Sequence, residues 1–263
     1  VLLCLLLPLT ALAQATQSAP TPERSSAPFA ILDNSFLVEE AFNQPTGIFQ
    51  NIFGFRRSGG AWELAFTQEW PVGSQQHQLS YTLPIVGHSS RKTGVGDVMI
   101  NYRYQALTED PVIPAFAPRL SLILPTDSRG DDSAGLQINL PVSKQRGDVY
   151  FNVNTGFTWL PRAQGVGDRV SLLTPHISGS AIVRVRPMFH LMFENVLEFE
   201  ESVGADGSRT SRETIYTLSP GVRGGWNFGD KQLILGAAIP ISFATDTDTG
   251  VLLYLSYELP FKK

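Results

Sequence analysis

Cysteine is nearly absent: of 263 residues one, Cys4, carries a thiol. It lies in a segment expected to be removed, so the mature chain is predicted to hold none. Disulfides, cysteine-based metal sites and thiol catalysis are thereby excluded together. Histidine is scarce, and His77, His88, His176 and His190 show neither an HExxH pattern nor paired i, i+4 spacing, so no metal site is expected. Charge is low at 17%, against the roughly one quarter usual in soluble domains. The 20 basic and 24 acidic residues leave no cationic excess for nucleic acid. Long apolar runs are missing beyond residue 15, the longest being 233–241, which excludes a membrane-spanning helix.

What is present is 43% hydrophobic residues, 10% aromatics, 23 glycines and 18 prolines, a mixture that suits strands and turns. Residues 1–15, VLLCLLLPLTALAQA, are apolar and end in small residues at A-x-A spacing, as in a secretory signal peptide cleaved after Ala13 or Ala15. No initiating Met or basic stretch precedes them, so the leader is expected to be N-terminally incomplete. Cys4 stands at the start of the apolar run, not its end, which argues against lipid attachment. Residues 16–28, TQSAPTPERSSAP, lack the periodicity of a packed element. We expect a flexible periplasmic tail over 16–35 and one barrel domain over 36–263.

From residue 47 onward apolar residues recur at every second position. In 61–70, Trp62, Leu64, Phe66 and Trp70 share a face opposite Glu63, Thr67 and Glu69. In 96–107, Val98, Ile100, Tyr102 and Tyr104 oppose Asn101, Arg103 and Gln105. In the last segment Val251, Leu253, Leu255, Tyr257, Leu259 and Phe261 oppose Tyr254, Ser256 and Glu258. Twelve strands are predicted: 47–56, 61–70, 76–86, 96–107, 115–125, 134–143, 148–159, 174–185, 188–199, 212–228, 231–242 and 250–261. Their lengths near ten residues match a tilted strand crossing a bilayer.

A soluble sandwich alternates as well. Two features favour a membrane barrel. Charges inside the strands (Glu63, Glu69, Arg103, Arg119, Arg184, Glu194, Glu198, Arg223 and Glu258) all fall on the non-apolar face, as expected where a lipid-facing Arg or Lys costs roughly 2–4 kcal/mol. Connectors after odd-numbered strands average about nine residues and those after even-numbered ones about four, the up-and-down pattern of outer-membrane barrels. The polar connectors 87–95, 126–133 and 201–212 are expected to face outward from the cell. Trp62, Trp70, Phe116, Trp159, Trp226 and Phe261, near strand ends, suit interfacial girdles. Pro84, Pro125, Pro141, Pro240 and Pro260 sit near predicted strand ends, whereas Pro220, inside the tenth, is expected to mark a bend or bulge.

Five segments, SFLVEEAFNQPTGIFQNI (35–52), FTQEWPVGSQQHQLSYTLP (66–84), GVGDVMINYRYQ (94–105), APRLSLILPT (117–126) and LQINLPVSK (136–144), resemble the outer-membrane proteins grouped as the meta-pathway of phenol degradation family. Weaker similarity continues to the terminal LSYELPF. The resemblance implies an outer-membrane transporter near aromatic catabolism and transfers no catalytic residue.

The nine interior charges are the candidate lumen lining, readable either as a polar pore or as salt bridges that fill the barrel. Glu194 and Glu198 lie on one strand about 13 Å apart, too far for a shared proton. PHISGSA at 175–181 resembles the His-x-Ser arrangement of the outer-membrane phospholipase family, but parity sends His176 and Ser178 into the lumen. Gly179 also replaces the Asn that follows that serine, so catalysis is not expected. Glu39, Glu40, Phe36 and Phe42 precede the first strand and read as a short plug, a periplasmic cap or an ordered lead-in strand.

The sequence thus predicts an all-β, antiparallel up-and-down transmembrane barrel of about twelve strands in the bacterial outer membrane, exported through the periplasm. It would meet outer-membrane lipid, the barrel-assembly machinery and small-molecule solutes, with no cofactor, metal or nucleic acid. A structural or surface-interaction barrel with a closed lumen is the alternative. Neutralising Arg103 and Arg119 is expected to alter ion selectivity. The oligomeric state is left open.

Overall fold

The computed structural model describes residues 31–261 apart from 32, 90, 129–132, 165–168 and 205. The predicted leader and the tail as far as residue 30 therefore lie outside the described residues.

Strand periodicity is realised along the chain as β1 (Ile48–Ser58), β2 (Ala61–Val72), β3 (Ser74–His88), β4 (Arg91–Val95), β5 (Val98–Tyr104), β6 (Ala115–Phe116), β7 (Arg119–Leu124), β8 (Gly135–Asn139) and β9 (Val142–Arg146). There follow β10 (Val149–Gln164), β11 (Arg169–Arg186), β12 (Phe189–Glu200), β13 (Glu213–Phe228), β14 (Lys231–Ala238), β15 (Ile241–Phe243), β16 (Thr247–Thr249) and β17 (Val251–Pro260). Five pairs, β4/β5, β6/β7, β8/β9, β14/β15 and β16/β17, are single staves interrupted in the middle, so the sheet has twelve staves. Every neighbouring pair is antiparallel, and β17 pairs with β1 from Pro260↔Ile48 to Val251↔Arg57, closing the barrel. Closure leaves no edge, the condition for a sheet in hydrocarbon.

The interruptions have local causes. Pro118, Pro141 and Pro240 cannot donate to the ladder and stand where β6/β7, β8/β9 and β14/β15 break. Pro220 makes no bulge in its own strand: β13 keeps unbroken register with β12, and the break falls in the neighbouring stave, where the Ile239 amide donates to the Pro220 carbonyl. The two-residue turn between β1 and β2 is made by Gly59 and Gly60, at φ 53° and 84°, a pair of positive values that a tight hairpin of this hand requires.

The expected contrast in connector length is weaker than the sequence suggested. Residues 125–134 and 201–212 separate strands at one end, the end expected to face outward, but β3 and β4 extend through most of the predicted 87–95 loop. Polar residues can continue a strand there because the rim of a membrane barrel stands clear of the hydrocarbon. A ten-residue connector, 105–114, lies at the opposite, inner end.

The molecule is inverted relative to a soluble protein. Leu64, Ile100, Leu122, Phe151, Phe193 and Leu253 are exposed, while Gln50, Asn101, Ser121, Asn152, Ser219 and Ser256 are buried. Of the aromatics expected near the ends, Trp159, Trp226 and Phe261 are exposed, and the Phe49 ring packs 4.4 Å from Phe261 and 6.3 Å from Trp70, while Phe53 and Phe66 pack together in mid-strand.

The barrel is not empty. Ile31, Asp33 and Ser35, expected as the end of a flexible tail, are 1%, 4% and 5% exposed. They begin a segment that forms no strand, contrary to the expected lead-in strand, and whose described residues as far as Gln44 lie inside the staves. All three apolar clusters join this segment to the wall: Ile31 with Ile234, Leu252 and Tyr254; Ala41 with Ala115 and Ala117; Phe36 against Tyr150, Ile182 and Met192.

Candidate functional site

The interior segment forms a plug because it brings backbone donors to a wall rich in side-chain acceptors. An extended chain without strand partners must satisfy its amides elsewhere. The amides of Leu37 and Val38 donate to Glu194 Oε1 at 2.8 and 3.1 Å, and that of Glu39 to Asn154 Oδ1 at 2.7 Å. Those of Ala41, Asn43 and Gln44 donate to Ser143 Oγ, Gln105 Oε1 and Gln78 Oε1 at 2.7, 3.0 and 2.7 Å. The acceptors come in turn from β12, β10, β9, the end of β5 and β3, so the segment follows the inner wall across more than half of the staves.

Three arginines hold its carbonyls and carboxylates. Arg223 on β13 donates to the Asp33 and Asn34 carbonyls at 2.7 and 2.9 Å, to His190 Nδ1 and to Glu40 Oε1. Arg103 on β5 donates to Asn43 Oδ1 and the Phe42 carbonyl. Arg119 on β7 pairs with Glu39 at 2.7 Å. The plug thus contributes Asp33, Glu39 and Glu40, and the wall answers with three guanidiniums. Tyr254 donates its hydroxyl to Asp33 Oδ1 at 2.8 Å, and Gln50 binds the same carboxylate.

Glycines provide the seat. A Cβ on Gly236 would meet the Phe36 ring at 2.2 Å, one on Gly221 at 3.1 Å, and one on Gly225 would meet Ile31 at 3.2 Å. These strand glycines leave room where Phe36 and Ile31 of the plug press on the wall.

The nine predicted lumen residues separate into two groups. Glu69, Arg103, Arg119, Glu194, Arg223 and Glu258 lie deep, and of these Arg103, Arg119, Glu194 and Arg223 bind the plug directly. Glu69 pairs with Gln78 and Arg103. Glu63 and Glu198 line an outer cavity, and Arg184 pairs with Asp148 at the inner rim, 2.6 Å away. The sequence pattern identified these side chains as interior but not their partners, since Asn34, Asn43 and Gln44 belong to a segment with no periodicity. Arg103 and Arg119 contact the interior segment, which changes the consequence expected of neutralising them.

Above the plug the lumen opens into a cavity of about 750 Å³. Leu37 forms part of its floor, and Arg56, Glu63, Glu198, Thr217 and Ser242 are on its sides. A smaller recess of about 220 Å³ shares Leu37, Arg56 and Glu63 with it and continues down to Phe36, Ile52 and Tyr254.

His176 Nε2 lies 3.3 Å from Asn139 Oδ1, so it meets a side-chain amide and not Ser178. Among the described residues no group of three His, Cys, Asp or Glu could hold a metal ion. In the GVGD segment, Asp97 accepts from the amides of Thr126 and Asp127 at 3.0 Å each and Ser133 at 3.4 Å, anchoring the outer loop to β5. In the 201–212 loop the Leu173 amide, with Arg209 and Arg212, holds the Glu201 carboxyl below the usual carboxylate range.

The fold is similar to that of the COG4313 outer membrane channel from Pseudomonas putida F1, at 13% identity and a TM-score of 0.64, over 87% of this chain and 98% of that one. It is also similar to the NanC porin, at 11% identity and a TM-score of 0.54, over 82% of this chain and all of that one. No protein-family model matches the chain, and no curated protein does.

Proposed function

We propose that the chain is a bacterial outer-membrane channel for small molecules, closed at rest by its own segment 31–44. The observation that carries this is the combination of a closed barrel with an apolar outside and a lumen that ends on a plug beneath a cavity of about 750 Å³. An apolar exterior answers to outer-membrane lipid, and a leader of the kind seen at residues 1–15 would deliver the chain through the periplasm to the barrel-assembly machinery. The likeness to a channel and a porin supports the reading through the fold.

Solutes would enter the cavity from the outer end and pass when the plug shifts. The apolar recess beneath Arg56 and Glu63 favours compact hydrophobic solutes, aromatic ones among them, in keeping with the family resemblance. The plug also supports a second reading, a barrel with a permanently closed lumen, since its amides are bound in series and its charges paired. Nothing in either reading calls for a catalytic step.

Conductance of the refolded protein in a planar lipid bilayer, beside a variant lacking residues 31–44, separates them. Rare current steps from the intact chain and sustained large steps from the deletion support a plugged channel. Complete silence of the intact chain, with solute flux into proteoliposomes equally absent, would establish the closed barrel.

A further inference from the structure

The recess of about 220 Å³ lies where three staves meet. Reading down from the rim, Arg56 stands opposite Glu63, Gly54 opposite Ala65 and Ile52 opposite Thr67 on β1 and β2, while Leu252 and Tyr254 on β17 flank Arg56 and Gly54. Small residues in the middle row leave the space, and a Cβ placed on Gly54 finds nothing within 4 Å. The other side of the recess is not wall at all. It is the plug, through Phe36, whose ring centroid is 5.1 Å from that of Tyr254, and Leu37.

We propose that this recess is a ligand site built jointly by plug and wall, and that its occupant locks the plug in place. A cavity of about 150 Å³ lined by Leu, Ile and Phe is enough to hold benzene, so the space here suits one ring-sized apolar body, alicyclic or aromatic. Arg56 and Glu63, 3.7 Å apart at the mouth, cancel in charge, so the favoured molecule is uncharged and carries a single hydroxyl-like group directed at them. Because Phe36 and Leu37 supply part of the lining, the site exists only while the plug is docked. A ligand that binds one of two states shifts the population toward it, so such a molecule opposes opening. The inference rests on the channel reading, in which the larger cavity beside the recess is the outer vestibule, and it gives that entrance a sensor.

The test uses the full chain with Cys4→Ser and Val38→Cys, placing the single thiol at a plug position that is 1% exposed. The rate of modification by a water-soluble maleimide then reports undocking. Cyclohexanol and benzyl alcohol are the probes and glycerol the control. At ten times its dissociation constant, a probe that binds only the docked state slows labelling about tenfold. Gly54→Leu, which fills the open space, should remove the response to the probes, and Ala65→Val serves as a second filling variant. Labelling unchanged or accelerated by both probes, or a response that survives both filling variants, overturns the proposal. Bilayer conductance is read separately: slowed labelling without conductance removes the channel reading and leaves the site, and conductance without slowed labelling does the reverse.

Discussion

The ring of Phe36 sits so close to Gly236 that a Cβ added there would stand 2.2 Å from the ring Cζ. The two residues are 200 positions apart, and their contact seats the plug against β14. Gly236 therefore acts as the notch into which the segment's aromatic side chain fits, beside Gly221 on β13.

Gly236→Val should displace Phe36 while leaving the staves paired, because β14 keeps its ladder and valine favours a strand. Exposing a large apolar side chain costs roughly 1.5–3 kcal/mol, or about a tenfold to hundredfold rise in plug opening. The readout is open probability in a planar bilayer, with far-ultraviolet circular dichroism checking that the barrel persists. An unchanged open probability would show that Phe36 does not hold the plug.

Arg103 and Arg119 bind Asn43, the Phe42 carbonyl and Glu39, so the double variant Arg103→Gln, Arg119→Gln should loosen the plug. Breaking buried pairs by removing one partner is expensive, about 3–5 kcal/mol where the remaining charge stays buried. Glu39 is half-buried, so the lower end of that range is the expectation. The double variant should conduct more often than the parent, with any change in ion selectivity secondary. Selectivity shifted at constant open probability would return both arginines to a pore lining.

The barrel was legible in the sequence because lipid outside and polar groups inside impose period two on every stave. Asn101, Arg103, Tyr254 and Glu258 all fall on the predicted face. The plug was legible only as one option, a short plug or periplasmic cap at Phe36, Glu39, Glu40 and Phe42, beside the ordered lead-in strand that the segment does not form. Its partners lie far away in sequence, Val38 to Glu194 across 156 positions, and such bonds leave no local pattern. One indirect signal existed: Gly221, Gly225 and Gly236 recur on lumen-facing positions, where glycine weakens a strand unless another chain approaches. The 87–95 segment misled for the opposite reason, since polarity there marks distance from the membrane and not a loop.

Asp97→Ala should free the outer loop. Its carboxylate collects three backbone amides, those of Thr126, Asp127 and Ser133. Hydrogen bonds to a charged group are worth about 1.5–3 kcal/mol each when well formed, less where solvent competes. Hydrogen exchange at Thr126 and Asp127 should accelerate by at least about tenfold, a change of roughly 1.4 kcal/mol, while Asn101 and Ser121 on the neighbouring ladder keep their protection. Asp97→Asn retains an acceptor oxygen and should fall between the two. Acceleration throughout β5 and β7 would mean that Asp97 supports the staves themselves.

Glu194 makes the sharpest case, because one of its oxygens serves two plug amides, those of Leu37 and Val38. Glu194→Gln keeps a carbonyl oxygen in place of the buried carboxyl oxygen, so the plug should stay docked. Glu194→Ala leaves both amides without an acceptor in a place that water enters poorly, at about 1–3 kcal/mol for each. The alanine variant should exchange the Leu37 and Val38 amides at least about tenfold faster and raise the open probability in the same proportion, since both measure one equilibrium. If glutamine proves as disruptive as alanine, the charge of Glu194 and not its hydrogen-bond geometry holds the segment, and Arg223 would then be its counterpart.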